Sequence, residues 1–281
     1  MLQRDYGNSD DEELILNLEL NVSLAQKHFH SNYANAIANS LRVIEKYKDT
    51  SFQNLIARHY WLVGHCYANQ GQHDRADEYL ASSLKAVVKQ EPISTALHCD
   101  ILSARAMNEE FRTGANGSEK AAEYLREAFT VLTPEEGFDI RRANCRNGLG
   151  NICINCGKID EALEHYLYAA AIYERFFDLA NMASAYSNIG TCYIERKEWK
   201  EAEHYMEKSL DLRMKLGSPD HLSVSYYNLA IIHKDTGRLD SAYNYALRSK
   251  EILEQTGHMP YMRLTDDLLQ AISQAQLAES A

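Results

Sequence analysis

Residues 186–210 read YSNIGTCYIERKEWKEAEHYMEKSL, and three further segments, which begin at Tyr60, Arg146 and Tyr226, align with this stretch without a gap. In every copy a small residue precedes an alanine by twelve positions, and a second small residue follows that alanine by seven. Self-similarity at a fixed period indicates a stacked array of one repeated unit. The three positions are held by Gly64, Ala76 and Ser83, by Gly150, Ala162 and Ala169, by Gly190, Ala202 and Ser209, and by Ala230, Ala242 and Ser249.

This spacing predicts two antiparallel helices that cross closely. Helix axes approach to about 8–10 Å only where the side chains at the crossing are small, so we expect the first small residue to lie against the alanine. Between them stand Gly71, Gly157 and Gly237, each able to end the first helix in the left-handed conformation, and Lys197 takes that place in one copy. The repeated unit is therefore predicted to be a helical hairpin.

The repeat extends over nearly the whole chain. Ala36 and Ala121 continue the series of second-helix alanines, whose separations are 40 to 45 residues. We therefore predict a single all-α solenoid domain over residues 1–281, made of six hairpins and a C-terminal capping helix. The predicted hairpins cover residues 10–48, 51–90, 93–132, 137–176, 179–216 and 219–256, and the capping helix covers 260–279.

Charge and composition exclude several classes of partner. The chain carries 29 Lys and Arg against 40 Asp and Glu, a net charge of −11, so we expect neither a nucleic acid nor an anionic membrane as the main partner. No segment approaches the roughly 20 apolar residues of a membrane span, and the acidic N-terminal segment does not resemble a signal peptide. The six cysteines lie in helical patterns, which favours reduced thiols and a cytoplasmic location.

The repeat resembles the tetratricopeptide repeat, whose small, aromatic and alanine positions match Gly190, Tyr193, Trp199 and Ala202. The resemblance covers residues 12–257 and implies a right-handed superhelical solenoid with a concave groove lined by the first helices. Its period of about 40 exceeds the family's usual 34 or so, which indicates longer helices. Long-helix versions in kinesin light chains, spindle-orientation adaptors and quorum-peptide regulators bind peptide segments, and the resemblance implies the same here.

The family's groove positions map onto every hairpin from the second to the sixth. The peptide-binding candidates are Arg58, Trp61, His65, Asn69, Asn144, Asn147, Asn151, Asn188, Thr191, Tyr227 and Asn228. The same mapping includes Ser184, Ser187, Val224 and Ile231, and in the third hairpin, where the connection RTGANGS is irregular, His98, Arg105 and Asn108. Asparagine recurs either because its amide can both donate to and accept from a bound peptide backbone, or because it bridges neighbouring hairpins or simply keeps the groove hydrated.

Reactive side chains do not form a recognisable catalytic or metal motif. Cys153 and Cys156 form a CxxC, but structural zinc requires four ligands and no second pair is present. Cys153 occupies the apolar position that Tyr67 and Tyr193 hold in other copies, which predicts a core role. No phosphate-binding loop, HExxH or GxSxG occurs. We expect no enzyme activity, cofactor or metal.

Two functions remain open at the level of sequence. The first is a non-catalytic scaffold that binds a protein or peptide segment in the groove, with a homodimer through the terminal hairpins as a compatible addition. The second is a sensory or regulatory input domain of a larger bacterial signalling protein, such as a cyclase, diguanylate cyclase or kinase. Knowing whether the natural reading frame continues past Ala281 into a catalytic domain would separate them.

The carboxylate clamp of chaperone-binding relatives is predicted to be absent. Asn151 and Asn188 stand at the clamp's asparagine positions, but Asn147, Val224 and Asn228 stand where the clamp has basic residues. Without those cations an anionic C-terminus loses its charge-assisted hydrogen bonds. Calorimetric titration with an Asp-terminated chaperone peptide is expected to show no binding; binding that disappears in Asn188→Ala would contradict this.

Overall fold

The computed structural model describes residues 17–21, 23–24, 33–88, 94–132, 137–217, 219–256 and 259–279. Within these ranges the chain is all-α, and residues 17–21 and 23–24 are helical. The rest of the helix predicted to open the first hairpin lies outside the described residues. The helices are α1 (Tyr33–Tyr47), α2 (Gln53–Asn69), α3 (His73–Val88), α4 (Thr95–Thr113), α5 (Ser118–Val131), α6 (Asp139–Asn155), α7 (Ile159–Arg175), α8 (Leu179–Glu195), α9 (Trp199–Leu216), α10 (Pro219–Asp235), α11 (Leu239–Thr256) and α12 (Met259–Glu279).

The chain divides into two compact units, Met1–Gly148 and Leu149–Ala281. In the first unit α1 packs on α2, α2 on α3, α3 on α4, and α4 on α5; in the second unit the helices from α7 to α12 pack in the same consecutive order. This pattern confirms the predicted second, third, fifth and sixth hairpins. The single domain over 1–281 stays a prediction. None of the helices in the described ranges has the length and apolarity needed to cross a membrane.

Five turns between consecutive helices place one residue in the left-handed conformation, as Gly217 also does at the end of α9. The predicted glycines adopt it, and so does Lys197 in its place. Phe177 does the same in the turn that joins α7 to α8, between two hairpins. The five residues are Gly71 (φ 73°), Gly157 (φ 72°), Phe177 (φ 55°), Lys197 (φ 58°) and Gly237 (φ 76°). The φ values show that one turn type serves both within and between hairpins.

The close approach of paired helices is present: a Cβ on Gly64 would lie 3.1 Å from the carbonyl oxygen of the repeated Ala76, although the nearest atom in each pair belongs to a larger side chain. A Cβ on Gly64 would lie 2.7 Å from Leu80 Cγ, and one on Gly190 would lie 2.9 Å from Met206 Cε. Each facing side chain is four residues after the repeated alanine, Ala76 or Ala202. Helical side chains lean toward the helix N-terminus, so the later residue covers the space above the alanine and meets the glycine.

The second small position carries a hydrogen bond that the sequence reasoning missed. Three buried serine hydroxyls each donate to a backbone carbonyl of the first helix, 26 residues earlier. The bonds run from Ser83 to Ala57 (2.6 Å), from Ser209 to Ala183 (2.7 Å) and from Ser249 to Ser223 (2.9 Å). A small polar residue is therefore selected here because its hydroxyl fastens one helix of the hairpin to the other.

Tyrosines pack between the two helices of a hairpin, as their spacing predicts. In the second hairpin the Tyr79 ring lies 6.3 Å from that of Tyr60 and 5.5 Å from that of Tyr67. The fifth hairpin repeats this with Tyr205, Tyr186 and Tyr193 at 5.9 and 5.7 Å, and the sixth with Tyr245, Tyr226 and His233 at 6.1 and 4.9 Å. These aromatic residues therefore belong to the packing of each hairpin.

The third hairpin differs from the others in its connection. α4 has 19 residues and is followed by a 3₁₀ turn, Gly114–Gly117, that leads directly into α5. The extra residues in RTGANGS therefore lengthen α4 and continue as a 3₁₀ turn, so they do not form a loop. This change shifts the residues that share one face of α4 relative to the other first helices.

Gly150→Ala is expected to destabilise the protein more than Gly148→Ala. A Cβ on Gly150 would lie 2.5 Å from Cε1 of the buried Tyr166 ring, whereas one on Gly148 would meet the methyl end of Leu125 at 2.9 Å. Overpacking costs about 1–3 kcal/mol, and alanine recovers about 1 kcal/mol of helix propensity. Urea unfolding followed by circular dichroism should give a lower midpoint for Gly150→Ala; equal midpoints for both variants would contradict the contact.

Candidate functional site

Two neighbouring pockets in the first unit share three lining residues, Trp61, Asp100 and Arg141. The His65 pocket, of about 220 Å³, is also lined by His65, Ser103, Met107 and Asn144. The Arg58 pocket, of about 200 Å³, is also lined by Arg58 and by the apolar residues Leu20, Leu24 and Leu97. Three residues predicted from the sequence, Arg58, Trp61 and His65, therefore come together with a fourth, Asn144.

Trp61 is held in place between the two pockets. Its half-buried indole packs against the core clusters on both sides of α2, and its ring centroid lies 5.6 Å from that of His65 in an edge-on arrangement. His65 is one helical turn further along, and its Nδ1 accepts a hydrogen bond of 3.0 Å from Asn69 Nδ2. The exposed part of a fixed aromatic ring offers apolar area without loss of side-chain entropy.

An ion pair between α4 and α6 completes the site and was missed by sequence reasoning. Arg141 Nε donates to Asp100 Oδ1 at 2.9 Å and Nη2 donates to Oδ2 at 3.1 Å. The hydrogen bond to Asp100 raises the pKa of Arg141. Both side chains remain more than a third exposed, so their outer edges are available to a ligand. The pair joins residues 41 positions apart, which leaves no local signature in the sequence.

The prediction of which face of α4 lines the groove was wrong. Ala96, Asp100, Ser103 and Met107 line the pockets, at the helical spacing of three and four. The predicted residues instead contact α3 and α5, since the longer helix carries a different phase. His98 lies 3.8 Å from Glu127, Arg105 donates to Asp77 at 3.0 Å, and the buried Asn108 donates to the His73 carbonyl at 2.9 Å.

The asparagine and threonine candidates of the second unit make internal hydrogen bonds. Tyr166 donates its hydroxyl to Asn151 Oδ1 at 2.8 Å, and Asn188 Nδ2 donates to the same oxygen at 3.5 Å. Thr191 donates to the Ser187 carbonyl of its own helix at 3.0 Å. Asn151 and Asn188 therefore bridge neighbouring hairpins, which is the second of the roles considered for asparagine.

Candidates in the sixth hairpin lie close to other side chains. Tyr227 packs against the cluster that joins α10, α11 and α12. Burial raises its pKa, and Asp267 and Tyr261 of α12 raise it further. Asn228 Nδ2 lies 3.7 Å from Met206 Sδ. The half-buried Asn147 lines neither of the two pockets.

The CxxC residues are more exposed than predicted. Cys153 is half-buried rather than in the core, with its Sγ 3.9 Å from Glu161 Oε2, and Cys156 is exposed in the turn after α6. Within the described ranges no three His, Cys, Asp or Glu side chains are grouped so as to hold a metal ion. The expectation of no metal or cofactor stays a prediction.

Comparison with known families identifies the repeat. Two family models, each described as tetratricopeptide repeat, match residues 181–255 and residues 57–86. These ranges contain the paired helices α8 to α11 and α2 to α3, whose packing is that of the predicted hairpins. This is a tetratricopeptide repeat protein. No curated protein matches the sequence.

Solved structures similar to this tetratricopeptide repeat protein have low sequence identity. BtubC (BKLC) from P. vanneervenii is 20% identical with a TM-score of 0.67, covering 86% of this chain and 92% of that one. A Pyrococcus horikoshii signal transduction ATPase (STAND) with a tetratricopeptide repeat sensor is 12% identical with a TM-score of 0.71, covering 92% and 38%. A Rap protein complexed with competence and sporulation factor is 16% identical with a TM-score of 0.66, covering 95% and 76%. These likenesses support the solenoid fold and nothing finer.

Asn151→Ala is expected to lower stability, because the side chain joins Tyr166 to Asn188. Loss of the 2.8 Å hydrogen bond from the buried Tyr166 hydroxyl costs about 1 kcal/mol. The matched control, Asn244→Ala at an exposed position of α11, should change the free energy of unfolding by less than about 0.5 kcal/mol. Equal losses in urea titrations of the two variants would show that Asn151 has no structural role.

Proposed function

We propose that this chain is a non-catalytic scaffold that binds a protein or peptide segment, and that the two pockets around Trp61 are its binding site in the first unit. The observation that carries the proposal is the sharing of one fixed indole between two pockets of about 220 and 200 Å³. Each volume suits one large side chain. Buried aromatic anchors with adjacent arginine are the usual centres of binding energy in protein interfaces.

The chemistry of the lining points to a peptide with apolar side chains on both sides of an acidic one. Leu20, Leu24 and Leu97 make the Arg58 pocket apolar, and Met107 contributes to the other pocket. Arg58 is exposed and forms no ion pair within the described part of the chain. Its guanidinium can therefore donate hydrogen bonds to a ligand carboxylate without first giving up an ion pair with another described residue. The exposed Asn144 amide can hydrogen-bond the peptide backbone.

Similar structures support recognition rather than catalysis. One is a Rap protein complexed with competence and sporulation factor, and another is a STAND protein whose tetratricopeptide repeats are a sensor. The absence of enzyme activity, a cytoplasmic location and a homodimer remain part of this proposal.

A second function, the sensory or regulatory input domain of a larger signalling protein, is favoured by the STAND protein alone. This chain matches 38% of the length of that protein, in which the repeats serve as the sensor. The two functions share the same binding surface and differ in whether the natural protein attaches an effector domain to it. Sequencing the natural reading frame beyond Ala281 distinguishes them, since an effector domain is required only by the second.

The binding proposal predicts that capture of peptides from an array will depend on Arg58 and Trp61. Arg58→Glu, at an exposed position, should reduce capture by about tenfold or more by reversing the charge at the pocket rim. Trp61→Ala should reduce it at least as much, with circular dichroism confirming that the variant is folded. The matched control is Arg263→Glu, an exposed arginine on α12 of the second unit.

Two results would contradict the site. Capture that is unchanged in both Arg58→Glu and Trp61→Ala would remove the pockets from the binding surface. Capture that is unchanged in these variants but lost in the triple variant Asn147, Asn188 and Asn228→Ala would move the ligand to the asparagine positions. A direct readout is available because the chain has only two tryptophans. In a Trp199→Phe background, a captured peptide should change the fluorescence of Trp61.

A further inference from the structure

Two buried cysteines meet beneath the His65 pocket. Cys99 lies on α4 and Cys145 on α6, and their sulfur atoms are 3.8 Å apart. The side chains are 1% and 0% exposed, yet Cys99 forms part of the pocket lining. The sequence gives no hint of the pair, since the residues are 46 positions apart and belong to different hairpins.

The geometry is compatible with a covalent bond between the two sulfurs. A disulfide has an S–S length of about 2.05 Å, so rotation of the side chains and a small helix shift would have to close the remaining gap. The neighbouring Asp100–Arg141 ion pair already holds the same two helices together. A helix pair that is fixed in this way keeps both thiols in contact, which favours reaction within the pair over reaction with other molecules.

The surroundings divide the roles of the two thiols. Hydrogen bonding from Cys99 lowers the pKa of Cys145 despite burial; the Ser103 hydroxyl, 4.0 Å away, and the charge of Arg142 act in the same direction. The same contact and burial raise the pKa of Cys99. The contact between the two sulfurs therefore favours the thiolate on Cys145, whereas Cys99 is the cysteine that lines the pocket.

We propose that Cys99 and Cys145 form a reversible disulfide, a modification site whose oxidant is a small hydroperoxide that enters through the His65 pocket. This inference does not depend on the peptide-binding proposal. Three observations carry it: the 3.8 Å contact between the sulfurs, the place of Cys99 in the pocket lining, and the Ser103 hydroxyl 4.0 Å from Cys145 Sγ.

The reaction balances in two steps. The thiolate of one cysteine attacks one peroxide oxygen, an S–O bond forms, the O–O bond breaks, and the leaving oxygen takes a proton to become water or an alcohol. The sulfur of the other cysteine then attacks the sulfenic sulfur. The S–S bond forms, the S–O bond breaks, and the hydroxide that leaves takes the proton of the second thiol as water. Two thiols lose two electrons, and the hydroperoxide gains them.

The alternative is that the two cysteines are only small apolar side chains in the core. They pack with Leu102, Ala128 and Leu132, and such a cluster would need no sulfur chemistry. The two explanations differ in what hydrogen peroxide does to the folded protein. The more exposed Cys153 and Cys156 could also react, so both are replaced by serine in every protein that is compared.

The test treats the folded full-length Cys153→Ser, Cys156→Ser protein with hydrogen peroxide. We expect the intact mass to fall by two hydrogens, two of the remaining thiols to become unreactive toward a thiol reagent, and a non-reducing peptide map to show Cys99 joined to Cys145. Dithiothreitol should restore the original mass. Cys99→Ser and Cys145→Ser should each abolish the mass loss. The control Cys192→Ser removes an equally buried thiol and should leave it unchanged.

Other results would overturn the proposal. These are an unchanged mass, addition of oxygen without a cross-link, or a cross-link that appears only after denaturation. Circular dichroism of each variant ensures that the comparison is between folded proteins. If both single variants unfold, the parent protein still decides, because its peptide map either contains the Cys99–Cys145 link or does not.

Discussion

The close contact between a glycine on one helix and a large side chain on the next is the constraint on which each of the second, fourth and fifth hairpins depends. Gly64 admits Leu80, Gly150 admits Tyr166, and Gly190 admits Met206, each at a distance that a Cβ would obstruct. This contact brings the paired helices near enough for the buried serines to reach a carbonyl and for the tyrosine rings to meet. The apolar core of these hairpins therefore depends on the glycine, because only a residue without a Cβ lets the two helices come this close.

The candidate site depends on that packing because its residues come from the first helices of successive hairpins. Trp61 lies on α2, Asp100 on α4 and Arg141 on α6, and each is placed by the helix that carries it. The pockets form where side chains of these helices are only partly covered by the packing of one helix on another. The same arrangement brings Cys99 and Cys145 into contact, so the proposed binding surface and the thiol pair share α4 and α6.

The sequence predicted the hairpins because their determinants are local. In each copy the small residue, the alanine and the second small residue lie within one segment of 25 residues, and their spacing is the same in every copy. Contacts between distant residues were not predictable in this way. The Asp100–Arg141 pair and the two cysteines have no periodic signal, and the extended α4 changed the phase on which the mapping of His98, Arg105 and Asn108 relied. Arg58, Trp61, His65 and Asn144 were found because α2 and the first half of α6 keep the regular phase.

The serine hydrogen bonds have a mechanical consequence for ligand recognition. A slip of one residue along a helix turns its side chains by about 100° and moves them by about 1.5 Å, which would take the Ser83 hydroxyl away from the Ala57 carbonyl. The helices of that hairpin therefore resist screw-like sliding. A ligand at the proposed Trp61 site would therefore meet helices whose register is already set.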